Sequence, residues 1–584
     1  SQAAFSAPAH HLSSAVCRRF FFSSNVYQKG VGIHMTHSTA ITAAADDLGR
    51  NLPPAAGLRS DRKVGLFYFL WCGEPGCDGR PLDITKLLAS DPQAGYRPDS
   101  DVWGGYAVYH HWGEPLYGYY HSRDAWVMRR HVEMLTRAGI DFLIFDTTNA
   151  AIYEENAKLL IRLLHEARLA GFDAPQIVFY TNTASGKTIE HIYDAIYRAN
   201  FCPDTWFYLD GKPMIIGLPD ECTPEMRAFF TVRTSQWPYE AAKCNGWPWM
   251  DFERPQRVFF NERGEPEVIN VSVAQHPQIR FGDSALYGET TNRGRSFHDG
   301  ANDPAEDAFR YGYNFAEQWQ RALDTDPPYV FVTGWNEWIA GRWEGTDERP
   351  LGFVDCCDLT YSRDIEPMRG GYFDNYYMQM MQNIRRYKGC CAEPVALPGE
   401  TIVYDAFPGM TAPRDCDGYQ THYADDSGRN EIRRVTVCDN GDTITFTAAC
   451  AAPITACDYH STWMRLFLAV DNDENVPQCC GAAYLVNGYP FSDQLTSFAV
   501  CREPSRTIEA DTFRICAQVP YQLDANRLTV TVPKALLGIS QGDYRLRFKW
   551  ADARTEITRW EEFYTQGCCA PIGRLFFPFA CRAC

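Results

Sequence analysis

The segment Thr333-Gly334-Trp335-Asn336-Glu337-Trp338 places an amide, a carboxylate and two indoles directly after the apolar run Tyr329-Val330-Phe331-Val332. A second carboxylate, Asp146, ends another apolar run and is followed by Thr147-Thr148-Asn149. Two carboxyls facing each other across a cleft can open an acetal. One protonates the leaving oxygen, and the other acts as base or nucleophile. Asn336 would orient Glu337, and the flat faces of Trp335 and Trp338 suit the apolar side of a sugar ring. Each residue also has a plain structural reading. Glu337 can sit in an ion pair, and Asp146 can cap the helix expected from about Tyr153.

Further polar groups follow apolar runs at Thr181-Asn182-Thr183 and Asp220-Glu221, so Asn182 and Asn149 are expected at the same rim as Asp146 and Glu337. His110-His111-Trp112-Gly113-Glu114-Pro115 lies among Tyr106, Tyr109, Tyr117, Tyr119 and Tyr120. It either lines a substrate cleft, with a His donating to hydroxyls or relaying a proton, or is a packed aromatic loop. His276 and His298 pose the same choice. At least one of Tyr68, Trp71 and Trp112 is expected at the cleft mouth with Trp335 or Trp338, because first and last strands are neighbours in a closed barrel. No metal is expected: adjacent His110 and His111 cannot easily reach one ion, and no third ligand follows at a usual spacing. The sequence has no GxSxG elbow, Walker loop or HExxH, and no organic cofactor is implied.

The elements that must hold these groups alternate from Arg62 onward. Val64–Trp71 reads as a buried strand, and Asp124–Ala138 as an amphipathic helix stopped by Gly139. The strand Asp141–Asp146, a helix over 153–169, the strand Gln176–Tyr180, a helix over 187–199 and the strand Pro213–Gly217 follow. After a long irregular stretch, a helix over 303–324 leads into Tyr329–Thr333, and an aromatic-rich helix over 372–387 closes the region. Strand–helix alternation argues for a parallel sheet, and continuous apolar strands mean that both its faces are covered. With no Gly-rich phosphate loop after the first strand, the pattern favours a (β/α)8 TIM barrel over an open sheet. Pro394, Pro398 and Gly399 mark a boundary, beyond which the apolar period becomes two, as in an all-β sandwich. The expected domains are an N-terminal arm or processed leader over 1–61, the barrel over 62–392, and a Cys-rich sandwich over 399–584.

Composition narrows the classes. The 584 residues are 45% hydrophobic, which excludes wholesale disorder, and 14% aromatic. A net charge of −18 argues against a nucleic-acid partner. No run of about 18 apolar residues is present, so no membrane-spanning helix is expected. The 22 cysteines include the adjacent pairs Cys356-Cys357, Cys390-Cys391, Cys479-Cys480 and Cys568-Cys569. They favour structural disulfides in an oxidising, secreted or lumenal compartment, with buried thiols as the alternative and a metal site the least favoured. The first 45 residues lack Asp and Glu and carry Arg18 and Arg19, which also fits an organellar import leader.

The segment Phe331–Trp338 resembles the strand-end Asn-Glu-Trp motif of the glycoside hydrolase family 71/99-like barrels, the group around endo-α-mannosidase. Phe145–Asn149, His110–Pro115 and Tyr361-Ser362-Arg363-Asp364-Ile365-Glu366-Pro367-Met368 resemble an uncharacterised branch of that group. Trp463–Phe467 and Tyr484–Asn487 resemble a family-9-type carbohydrate-binding sandwich. The resemblance implies a glycosidase acting on an α-linked glycan, with Glu337 catalytic. It also implies a departure: the family motif continues Glu-Trp-His-Glu, and Ala340 stands where its second Glu would be. The partner carboxyl must then come from elsewhere, with Asp146 the first candidate and Glu344 the second. The rival reading is a non-catalytic scaffold of the same ancestry that binds glycans or partner proteins.

Overall fold

The computed structural model describes residues 32–35, 42–43, 45–53, 57–73, 81–277, 284–288, 291–353, 358–414, 425, 427–471, 476–540 and 542–582. Its N-terminal body is a nearly closed parallel barrel. The strands are β1 (Lys63–Tyr68), β2 (Phe142–Thr147), β3 (Gln176–Thr181), β4 (Lys212–Gly217), β5 (Thr231–Gln236), β6 (Gly246–Pro248), β7 (Pro266–Ser272) and β8 (Tyr329–Thr333). They run in the order β6-β5-β4-β3-β2-β1-β8-β7, every neighbour parallel. Side chains close the seam between β6 and β7: Trp247 Nε1 donates to Glu267 at 2.8 Å, and Arg233 from β5 grips the same carboxylate with two bonds of 2.7 and 2.8 Å.

The period-two alternation of a strand sorts the apolar residues into two cores. Phe67, Phe69, Phe142, Ile144, Val178, Tyr180, Met214, Ile216 and Phe331 fill the barrel, while Val64, Leu66, Tyr68, Leu70, Leu143 and Phe145 face the helices. Gly65 makes room inside, because a Cβ there would meet the Phe142 ring at 2.3 Å. Helix α1 (Ala125–Ala138) starts where the Asp124 carboxylate accepts from the N–H groups of Trp126 and Val127, and ends at left-handed Gly139, φ +81°. Such caps satisfy the end groups that a helix cannot pair internally.

Two helices differ from expectation. The one expected over 187–199 begins at Ser185 and loosens into a π-helical turn over Tyr193–Arg198. The one expected over 303–324 begins only at Tyr313, after left-handed Gly312; the preceding residues form only a single 3-10 turn, Ala308–Arg310. The stretch read as irregular contains β5, β6 and β7. The first is Thr-Val-Arg-Thr-Ser-Gln and the second only three residues, neither an apolar run.

The C-terminal body is an all-β sandwich whose strands are mainly antiparallel, with parallel pairs at Val395–Ala396 and Gly32–Met35. Thr443–Cys450 alternates half-exposed and buried positions without a break, so one of its faces meets the core. Two short strands from before the barrel join it: Gly32–Met35 pairs with Thr401–Asp405, and Thr42–Ala43 with Leu575–Cys581. Helix α1 lies between barrel and sandwich and is buried on nearly every side. Its Arg130 donates to the carbonyls of Tyr564, Met410 and Gly567. Asp374, below the barrel helix Asn375–Lys388, accepts from Arg574 at 2.8 Å and Tyr564 at 2.9 Å; burial still pushes its carboxyl up to about 6. The expected disulfide staples are not formed where cysteines are described: Cys450, Cys479, Cys501, Cys568, Cys569 and Cys581 are buried thiols of the sandwich. Cys17, Cys77, Cys356, Cys357, Cys416 and Cys584 lie outside the described residues, as does most of the expected leader. Among the described residues, no helix is long and apolar enough to cross a membrane.

Candidate active site

A cavity of about 360 Å³ opens at the end of the barrel where the strands finish. Asp146, near the end of β2, and Glu337, four residues beyond β8, both line it. Around them stand Phe67, Phe69, Trp71, Tyr109, Tyr153, Trp237, Trp249 and Trp343, with Thr148, Asn149, Ala340 and Arg363. Acids at the strand C-termini of a parallel barrel occupy the position where such folds carry their chemistry.

Glu337 is held from two sides. Its side chain is paired with the guanidinium of Arg363, and its backbone N–H donates to the buried carboxylate of Asp364. Asp364 also accepts the indole N–H of Trp112 at 2.6 Å. Burial pushes its carboxyl up to about 7, against the pull of nearby Arg295. Arg363 lies with its guanidinium 5.3 Å from the centre of the Trp249 ring, and 3.4 Å from His276 Nε2. Asp146 accepts the N–H of Thr148 at 3.0 Å, a local turn that holds the carboxylate at the strand end rather than at the following helix. That helix starts at Glu154 without a side-chain cap.

Asn336 is next to Glu337 in the chain but does another job. Its amide oxygen accepts from Phe69 N–H at 2.9 Å and its amide nitrogen donates to Phe69 O at 3.1 Å, which ties the end of β8 to the end of β1. The rings beside it face away from the cavity. Trp335 and Trp338 are fully buried in the layer between barrel and helices, and Trp338 stacks on Trp112 at 4.6 Å. Tyr68 sits in the same layer and bonds His131 at 2.8 Å. The expectation that Trp335, Trp338, Trp112 or Tyr68 stacks on a sugar is therefore corrected. Only Trp71 of that group lines the cavity, because it shares the inward side of the chain with Phe67 and Phe69.

His110 and His111 form a short strand, Tyr109–His111, antiparallel to Ile339–Glu344 across the rim. Their rings point away from the cavity, and burial lowers them to about 4 and about 3, so both are neutral at neutral pH. Neither histidine lines the cavity, which leaves them as parts of a packed aromatic loop, while their neighbour Tyr109 does line it. Asn182, just past β3, lies at the same end of the barrel and accepts from Ser235 at 2.9 Å. Glu344 is exposed at the far end of its strand, outside the cavity lining. His276 stands behind Arg363, and His298 pairs with Asp299 and Asp303 at the surface. Sequence reasoning did not single out Trp237, Trp249, Trp343 or Tyr153, and gave Arg363 and Asp364 no role. The quoted run Tyr361–Met368 was the available signal for those two.

No protein-family model matches this chain. No curated protein matches it either. Among solved structures it is similar to the GH99 endo-alpha-mannosidase from Bacteroides thetaiotaomicron, with TM-score 0.33 and 15% identity over 56% of this chain and 98% of that one. The structure of that enzyme in complex with bis-tris-propane gives TM-score 0.32 and 14% identity over the same shares. At these values the likeness carries no functional argument, and the site has to be read from its own residues.

Proposed function

We propose that the barrel is a glycoside hydrolase that cleaves an α-linked glycan, with Asp146 and Glu337 as its carboxyl pair. The observation that carries this reading is their presence in one cavity at the strand C-termini, walled by half-buried aromatic rings. Acetal cleavage through an oxocarbenium-like transition state needs one carboxyl protonated and one ionised. The faces of Trp71, Trp237, Trp249 and Trp343 offer the flat apolar surface on which a sugar ring stacks. Ala340 lines the cavity where the family motif has a second Glu, which makes Asp146 the partner of Glu337.

The second reading is a binding protein built on a hydrolase barrel, and the observation that favours it is the same Ala340. Assay of the purified chain against a panel of α-linked glycans separates the two. The hydrolase releases sugar and loses that activity in Glu337→Gln and in Asp146→Asn. A binding protein retains glycan affinity and turns nothing over.

A further inference from the structure

The segment Ser362–Glu366 runs beside the chain that leaves β8. Gly334 N–H donates to Arg363 O at 3.0 Å, Ile365 N–H to Gly334 O at 3.1 Å, and Glu366 N–H to Trp335 O at 3.0 Å. Arg363 enters the cavity and Asp364 turns beneath Glu337. Among the described residues lining the cavity, Arg363 is the one cation. Its side chain is 2% exposed, so its pairing with Glu337 is shielded from the solvent that weakens surface ion pairs. The face of Trp249 beneath the guanidinium holds it in place.

We propose that Arg363 is a positioning residue that holds Glu337 as the ionised member of the pair, which assigns the proton-donor role to Asp146. This rests on the hydrolase reading of the cavity. Among the described residues, the titratable groups that share the cavity with Glu337 are Arg363 from the segment after it, Asp146 from β2, Tyr109 and Tyr153, with Asp364 under the Glu337 N–H and His276 behind Arg363. A neighbouring cation favours a carboxylate over the acid form, while a second carboxylate across the cavity disfavours it. Glu337, gripped by the cation, is therefore the anion. Asp146, sharing the cavity with that anion, is the group that can keep a proton. In the reaction, the Asp146 proton passes to the glycosidic oxygen as its bond to the anomeric carbon breaks. Glu337 either takes a proton from the attacking water or bonds to the anomeric carbon itself. In both routes Glu337 must start without a proton.

The test is the pH response of Arg363→Gln, read in two ways. Carbodiimide labels protonated carboxyls, so mass spectrometry of the Glu337 peptide against pH reports its protonation without any turnover. The pH profile of kcat/KM on a cleaved glycan reports it through catalysis. Removing the cation should move the labelling midpoint, and with it the acid limb of the profile, upward by about one pH unit or more. Arg363→Met keeps the aliphatic stem over Trp249 and should give the same shift if the Gln variant does not fold. A shifted labelling midpoint in a chain that cleaves no glycan leaves the clamp standing and removes the hydrolase. Turnover with an unshifted midpoint and unshifted acid limb in a folded Arg363 variant overturns the assignment and leaves the hydrolase intact.

Discussion

On the cavity side of the chain around β1 and β8 stand Phe67, Phe69, Trp71 and Glu337; on the helix side stand Tyr68, Leu70, Trp335 and Trp338. The two sides draw on the same residue types. Behind the wall, the carboxylate of Glu366 accepts from Tyr120 at 2.8 Å, His131 at 2.8 Å and Trp338 at 2.5 Å, and its side chain has no exposure. A buried carboxylate satisfied in this way fixes structure and is closed to a substrate. In front, Glu337 has its cation and its backbone clamp yet still borders open space, and the indoles around it are half-buried rather than enclosed. Access to the cavity at this barrel end is therefore a matter of which side of the chain a residue takes, since Glu and Trp occur on both.

The largest effects should separate the two sides cleanly. Glu337→Gln and Asp146→Asn should each lower kcat by about 10²–10⁴-fold in protein that still folds. Asp146→Asn should leave the thermal midpoint unchanged, while Glu337→Gln should lower it, because the shielded Arg363 guanidinium loses its anion. Equal loss of activity and of folded protein would merge cavity and wall. Trp338→Ala should do the reverse. It empties a fully buried site and removes a donor from Glu366, costing about 3–5 kcal/mol of stability in denaturant titrations. The folded fraction of that variant should retain most of its turnover.

How far the sequence reveals this depends on the physical signal each element leaves. β1 to β4 and β8 are legible as short apolar runs, because a parallel strand covered on both faces has few polar positions to spare. β5 is not: Thr231, Arg233, Thr234, Ser235 and Gln236 are polar, and Arg233 is spent on Glu267 at the barrel seam. Asp146 and Glu337 are legible because an acid at the end of an apolar run breaks its logic unless something there needs charge. The sides of Trp335 and Trp338 are harder to read, since they depend on how the chain turns after β8, where the regular alternation of the strand has ended. Arg363 is harder still. It arrives from a segment with no strand or helix of its own, brought to Glu337 by hydrogen bonds to Gly334, Trp335 and the Glu337 backbone.

Smaller effects sharpen the same division. Trp71→Ala removes one cavity ring that packs edge-on against Tyr109 at 5.7 Å. It should weaken glycan binding by about 0.5–1.5 kcal/mol, seen as a higher KM with kcat nearly unchanged. The smallest change belongs to the opposite end of the barrel, where Asp326 pairs with Arg59 at 2.6 Å and Arg62 at 2.8 Å. The hydrogen bond from Arg62 is the main cause that lowers its carboxyl to about 2. A carboxyl lowered in the folded state stabilises the protein above its unfolded value near 3.8, and that contribution disappears as the pH falls through about 2. Because Asp326 is 38% exposed, solvent screens the pair, and Asp326→Asn should cost less than about 1 kcal/mol at neutral pH. The gap to wild type should close at the acid end, with no change in turnover.

The central claim is that one cavity holds a working carboxyl pair, and sugar release from a panel of α-linked glycans by wild type, Glu337→Gln and Asp146→Asn tests it most directly. The account predicts release by the wild type on at least one glycan and loss of that release in both variants, each still folded. Wild-type protein that binds a glycan of the panel without cleaving any of them, or a variant of either carboxyl that cleaves as fast as wild type, would contradict it.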